Sequence, residues 1–189
     1  MNDFHKYHGL GNDFVLVESE GAEVDPGWVE AVCDRHRGVG ADGVLVVTPP
    51  VETESVGRMV LYNRDGTRPE MCGNGIRCVA GHLVEQTGRE GDVLPIDTDA
   101  GSRACRIVER GDGAWSVSVE MGRAQVDQEA ADVTAAGVSR TFWAVDVGNP
   151  HAVTFGGTPE GVVDAFGEKM NSEAVERFPN GVNVEFVDI

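Results

Sequence analysis

Two pairs of segments repeat along this chain. "GLGNDFVLVE" at residues 9–18 and "VGNPHAVTFG" at 147–156 both place Gly-Asn ahead of an apolar strand. "RHRGVGADGVLVV" at 35–47 and "ERFPNGVNVEFV" at 176–187 both run from a helix end through a glycine turn into a strand, which carries Asp42 in one copy and Asn183 in the other. The offsets nearly agree, 137 residues from Asn12 to Asn149 and 141 from Gly40 to Gly181. Chance similarity of glycine-rich turns is the competing explanation, but two matches in order at nearly one offset point to duplication. That restricts the fold to two units on one frame, 1–118 and 119–189. The first unit continues from Gly40 through "YNRDG" to a helix that opens at Cys72. The same offset puts the counterpart of Cys72 at roughly residue 213, past Ile189, so the second unit is expected to be incomplete.

Between these landmarks the pattern alternates short strands with few helices. Strands are predicted at 13–18, 43–47, 58–63, 93–97, 103–109, 114–120, 141–147, 151–155 and 182–187, with Lys6 in an earlier first strand. Helices are predicted at 26–36, from Cys72 to a glycine cap at Gly88, and near 171–177. In the first, Trp28, Val29, Val32 and Cys33 share one face. Strands outnumber helices without a steady βαβ alternation, which argues for an α+β fold.

Charge narrows the partners. A net charge of −17 argues against nucleic acid and anionic membranes. No stretch is long and apolar enough to span a bilayer, and "MNDFHKYHG" has no signal-peptide character, so a cytoplasmic location is expected. Cys33, Cys72, Cys78 and Cys105 are then expected as free thiols, and their spacing suits no metal site. Only Lys6 and Lys169 are lysines, and neither lies in a phosphate-cradling context, which argues against pyridoxal phosphate. The acidic, lysine-poor composition fits either a halophilic source, for which stability should rise with salt, or GC-rich coding bias.

The chemistry concentrates at "EMCGNGIRC". The first-turn N–H groups of a helix lack intrahelical acceptors and sit at the positive end of its dipole. Such a site binds carboxylates and stabilises a thiolate. Gly73 and Gly75 allow close approach of a ligand to the backbone. Asn12, Asn63, Asn149 and Asn183 lie in polar turns, where an Asx-turn is the ordinary role and recognition of an amino acid the functional one. Cys33, Cys78 and Cys105 read as core or strand residues, and His5 and His8 as packing or turn residues. A cysteine-hydrolase would need His151 paired to Cys72 and oriented by a carboxylate, and no such carboxylate is evident.

"YHGLGNDFVLVE", "RHRGVGADGVLVV", "YNRDGTRPEMCGNGIRCVA", "GNPHAV" and "FPNGVNVEFV" together resemble the diaminopimelate epimerase family, in order from Tyr7 to Val187. The resemblance implies two pseudo-symmetric units, each a mixed sheet rolled around a central helix. It implies a cofactor-independent isomerase that interconverts LL- and meso-diaminopimelate in lysine biosynthesis. Proton transfer at Cα would use a thiol and a thiolate on opposite faces. By motif position Cys72 is one catalytic thiol. Asn12, Asn63, Gly73, Asn74, Asn149 and Asn183 match substrate-contacting positions, and His151 matches a histidine that tunes the thiols. The implied partner is a small amino-acid substrate, with a homodimer as the assembly to test. The second cysteine-glycine motif is absent from these residues. A fragment of a longer enzyme, an inactive truncated remnant and a racemase of another amino acid therefore remain alternatives. A truncated second sheet would expose an edge and core, which predicts self-association.

Overall fold

The computed structural model describes residues 3–89, 93–111, 113–157, 161–172, 178 and 181–188. Its elements, in chain order, are β1 (Phe4–Gly9), β2 (Asn12–Glu18), α1 (Pro26–Cys33), β3 (Gly43–Thr48), β4 (Gly57–Asn63), α2 (Gly73–Thr87), β5 (Val93–Asp97), β6 (Arg103–Gly111) and β7 (Ala114–Val119). These are followed by β8 (Gln125–Ala135), β9 (Val138–Asp146), β10 (Pro150–Phe155), α3 (Val163–Ser172) and β11 (Asn183–Val187). The chain divides into two compact units, Met1–Met121 and Gly122–Ile189.

In the first unit, β1 to β7 form one mixed sheet in sequence order. α2 contacts all seven strands, which requires the sheet to curl around the helix. Alternation explains the layering, because successive strand residues face opposite sides. Phe14, Leu16, Leu45, Val47, Met59 and Leu61 point to α2 and join Ile76, Val79, Leu83 and Val84 in one core. Val15, Val17, Val44, Val46 and Val60 point the other way and pack with Val29 and Cys33 of α1. Each buried side chain of this size contributes roughly 1.5–3 kcal/mol. α2 is buried around much of its circumference, so Gly81 is needed where the Trp115 ring would lie 2.9 Å from an added Cβ.

The second unit has a four-stranded sheet ordered β11-β10-β9-β8, with α3 packed on β8 and β11. Phe142, Phe166 and Phe186 meet pairwise in tilted and edge-to-face contacts, with ring centroids 5.5–5.9 Å apart, in its core. The pairing repeats that of the first unit. β1–β2 and β9–β10 are antiparallel; β2–β3 and β10–β11 are parallel, and each parallel pair is joined across a helix. The frame inferred from the repeated segments is therefore present in both units.

Three elements differ from expectation. β8 was not predicted: "QVDQEAADVTA" is mostly solvent-facing, and its pairing with β9 is interrupted between Val126 and Ala130, so neither hydrophobicity nor alternation marks it. α3 precedes the predicted span of 171–177 and shares only Asn171 and Ser172 with it; residues 173–177 lie outside the described residues. Its anchors are Phe166 and Met170, four apart, with Gly167 between them weakening the helical signal. α1 stops at Cys33 because the Asp34 carboxylate accepts from the N–H groups of His36 and Arg37, and Trp28 is 41% exposed rather than buried.

Candidate active site

One end of the first unit collects the polar turns. β1 ends at Gly9, β2 starts at Asn12, β3 starts at Gly43 and β4 ends at Asn63, and the pairings Gly9–Asn12, Phe14–Gly43 and Gly43–Asn63 place these residues side by side. Leu10 and Gly11 both have positive φ, 55° and 92°, as a two-residue hairpin turn matched to strand twist requires. α2 starts at the same end: a Cβ on Gly9 would lie 2.9 Å from the Asn74 carbonyl oxygen. The hairpin carrying Asn12 is thus pressed against the helix mouth.

A salt-bridged network fixes that hairpin. Lys6 Nζ donates to Asp13 at 2.5 Å and to the Gly40 carbonyl, while Arg35 donates to Asp13 at 2.6 Å and to Asp42 at 2.8 Å. Arg35 above all, opposed by desolvation and helped by Lys6, holds the Asp13 carboxyl well below its usual range.

Cys72 is the N-cap of α2 in extended conformation, and its Sγ accepts from the Gly75 N–H at 3.4 Å. The thiol is half-buried, and no acidic residue occupies the first turn of the helix. The positive end of the helix dipole and its first-turn N–H groups thus point toward that sulfur. Gly73 faces open space, with only Met121 Cε 3.9 Å from an added Cβ. Gly75 corrects the expectation: it is buried, and its missing side chain makes room for Leu45, 2.9 Å from an added Cβ, rather than for a ligand. Cys78 is a different kind of thiol. It donates to the Asn74 carbonyl, and burial pushes its pKa up to about 11. Burial likewise pushes Cys105 up to about 12.

Two predicted contact residues use their side chains locally. Asn63 donates to Thr67 Oγ1 at 3.0 Å, the turn role weighed for it, and Arg77 donates to Asn74 Oδ1. Sequence reasoning did not single out Arg77, although it lies one turn from Asn74.

Asn149, His151 and Asn183 belong to the second unit, where they form a cluster of their own. His151 and Asn183 are register partners across β10 and β11. The ring of His151 lies between Asn149 Oδ1, 2.9 Å from Nε2, and Glu185 Oε1, 2.6 Å from Nδ1. Asn183 donates to the Pro150 carbonyl at 3.2 Å. Glu185 corrects the view that His151 has no orienting carboxylate. Its signal was present in "NVEF", where period-two spacing puts Glu185 on the same face as Asn183.

Comparison with known proteins is consistent with these features. A family model described as diaminopimelate epimerase matches residues 4–126. A diaminopimelate epimerase of Moorella thermoacetica is 37% identical over 206 residues, covering 98% of this chain and 71% of the relative. One from Desulforudis audaxviator is 38% identical, covering 99% and 71%. Among solved structures, a probable proline racemase from Agrobacterium radiobacter aligns with a TM-score of 0.74 at 17% identity, covering 100% of this chain and 67% of that one. A hydroxyproline epimerase from Agrobacterium vitis aligns at 0.71 and 17%, covering 95% and 62%. At that identity the structural likeness speaks for the fold alone.

Proposed function

Since the chain belongs to the diaminopimelate epimerase family, an isomerase family of lysine biosynthesis, we propose that it interconverts LL- and meso-diaminopimelate with Cys72 as one of two acid–base groups. The observation that carries the role is Cys72 Sγ at the mouth of α2, within reach of the Gly75 N–H. The α-proton of an amino acid is weakly acidic, so removing it calls for fixed donors that stabilise the developing carbanion. The N–H groups of Gly73 and Asn74, which have no intrahelical acceptor, supply such donors, and the open space beside Gly73 lets a substrate carboxylate approach them. Inversion requires one group to take the proton from one face of Cα and another to return a proton to the opposite face.

In this reading residues 1–118 form the first epimerase unit and 119–189 part of the second. Asn12, Asn63, Gly73, Asn74, Asn149 and Asn183 are the proposed substrate-binding residues. His151, oriented by Glu185, tunes the thiol chemistry. The partner is a small amino-acid substrate, and the enzyme works in the cytoplasm, as a homodimer if it self-associates. Among the described residues no helix is long and apolar enough to cross a membrane. Deuterium exchange at Cα, measured in heavy water with diaminopimelate, proline and glutamate in parallel, tests the substrate assignment. Exchange confined to diaminopimelate is expected; faster exchange with proline or glutamate would reassign the enzyme.

A further inference from the structure

A second polar constellation lies at the other end of the same helix. His82 is 1% exposed, deep in the core between α2 and the sheet. It lies ten residues along α2 from Cys72, about 15 Å at the helical rise. Its Nε2 is 2.9 Å from Glu18 Oε1, and its Nδ1 is 3.2 Å from the Tyr7 hydroxyl. The His5 ring lies 4.7 Å from the His82 ring, centroid to centroid. One ligand atom from each of His5, Glu18 and His82 lies within 4.8 Å of the other two. His5 and Glu18 line a hollow of about 790 Å³ that also touches Thr48 and Leu83, so the cluster opens to solvent on one side.

The hydrogen bonds hold His82 in one orientation. The Tyr7 hydroxyl lies 3.4 Å from Glu85 Oε2 as well as against His82. When it donates to Glu85, it accepts from His82 Nδ1–H, and His82 Nε2 faces the Glu18 carboxylate at 2.9 Å. A proton on Nε2 satisfies that contact, and a cation can take the proton's place between the two groups. A hydroxyl accepting from the far ring nitrogen is also how metal-bound histidines are held in one tautomer.

We propose that His5, Glu18 and His82 form a binding site for a borderline divalent cation of the zinc class, with Tyr7 orienting His82. Two imidazoles and a carboxylate suit that class of ion. Tetrahedral bonds of about 2.0–2.2 Å place ligand atoms roughly 3.3 Å apart. The His82–Glu18 pair opens by a few tenths of an ångström to reach this, and His5 closes in from the open side. The fourth position faces the hollow and takes water. A bound ion ties β1 and β2 to α2, so it stabilises the first unit without touching the Cys72 end.

The test titrates the whole 189-residue chain with zinc(II) against a chromophoric chelator, then with cobalt(II) followed by visible absorbance. One equivalent of zinc is expected, a higher Tm on binding, and cobalt d–d bands without a thiolate charge-transfer band. Cys72→Ser should bind as tightly as the unaltered chain. His5→Ala and Glu18→Gln, both at the open side, should weaken binding by at least about 100-fold, and Tyr7→Phe by about tenfold. Failure to bind one equivalent overturns the site, as does retained affinity in His5→Ala. Loss of binding in Cys72→Ser would assign the metal to the thiol instead.

Discussion

The two units share a frame and differ in what they place on it. In the first, the register pair that opens the parallel ladder of β2 and β3 is Phe14–Gly43; in the second, the pair that opens the ladder of β10 and β11 is His151–Asn183, although in sequence Asn183 aligns with Asp42. The first unit thus fills that position with a ring over a bare backbone, and a Cβ on Gly43 would meet Phe14 at 3.5 Å. It carries Asn12, Asp42 and Asn63 at the neighbouring strand ends, with the Cys72 thiol at the mouth of α2. The second unit puts an imidazole, two amides and Glu185 on the strands themselves. The shared strand pairing is common to the two units, and the polar residues placed on it differ.

Substitutions can break this contrast. Apart from the cysteines, the largest effect is expected from Gly9→Ala: the new methyl group meets the Asn74 backbone and must push the Asn12 hairpin off the helix mouth. Exchange at Cα should fall by 100-fold or more, given that an ångström of misplacement costs about that factor. Removing the orienting carboxylate with Glu185→Gln should lower exchange by roughly tenfold and alter its pH profile, whereas a purely structural role for Glu185 would move Tm alone. Gly81→Ala, which drives a methyl group against Trp115, should cost about 1–3 kcal/mol in denaturant unfolding and leave the thiol chemistry intact in the folded fraction.

The smallest effect concerns the salt-bridged hairpin, and its sign follows from the carboxyl of Asp13. That group is held below its ordinary value in the folded chain, chiefly by Arg35. Its stabilising contribution is present above the unfolded carboxylate pKa and is lost as pH falls through the folded value. Asp13→Asn should lower Tm by about 2–4 °C at neutral pH, and the difference from the unaltered chain should shrink in strong acid.

What the sequence disclosed follows physical lines. The central strands β2, β3 and β4 are continuous apolar runs because both of their faces are buried, and such runs read clearly in "DFVLVE" and "GVLVV". The α2 boundaries were legible from Cys72 and from the left-handed Gly88 cap. β8 was not legible because exposure removes the alternation that marks a strand. Glu185 and His82 were missed for another reason: their partners lie 34 and 64 residues away, and only the register of the folded chain brings them together.

The central claim is that position along α2 divides its two cysteines into a working thiol and a packed one. Cys72 caps the helix half-buried at its mouth; Cys78, six residues on, is buried, with its pKa raised to about 11. Deuterium incorporation at Cα of diaminopimelate, measured side by side for the unaltered chain, Cys72→Ala and Cys78→Ala, tests this most directly. The account predicts a loss of about 10²–10⁴-fold in Cys72→Ala, and in Cys78→Ala near-unaltered exchange per folded molecule. Equal exchange in Cys72→Ala and the unaltered chain would contradict it.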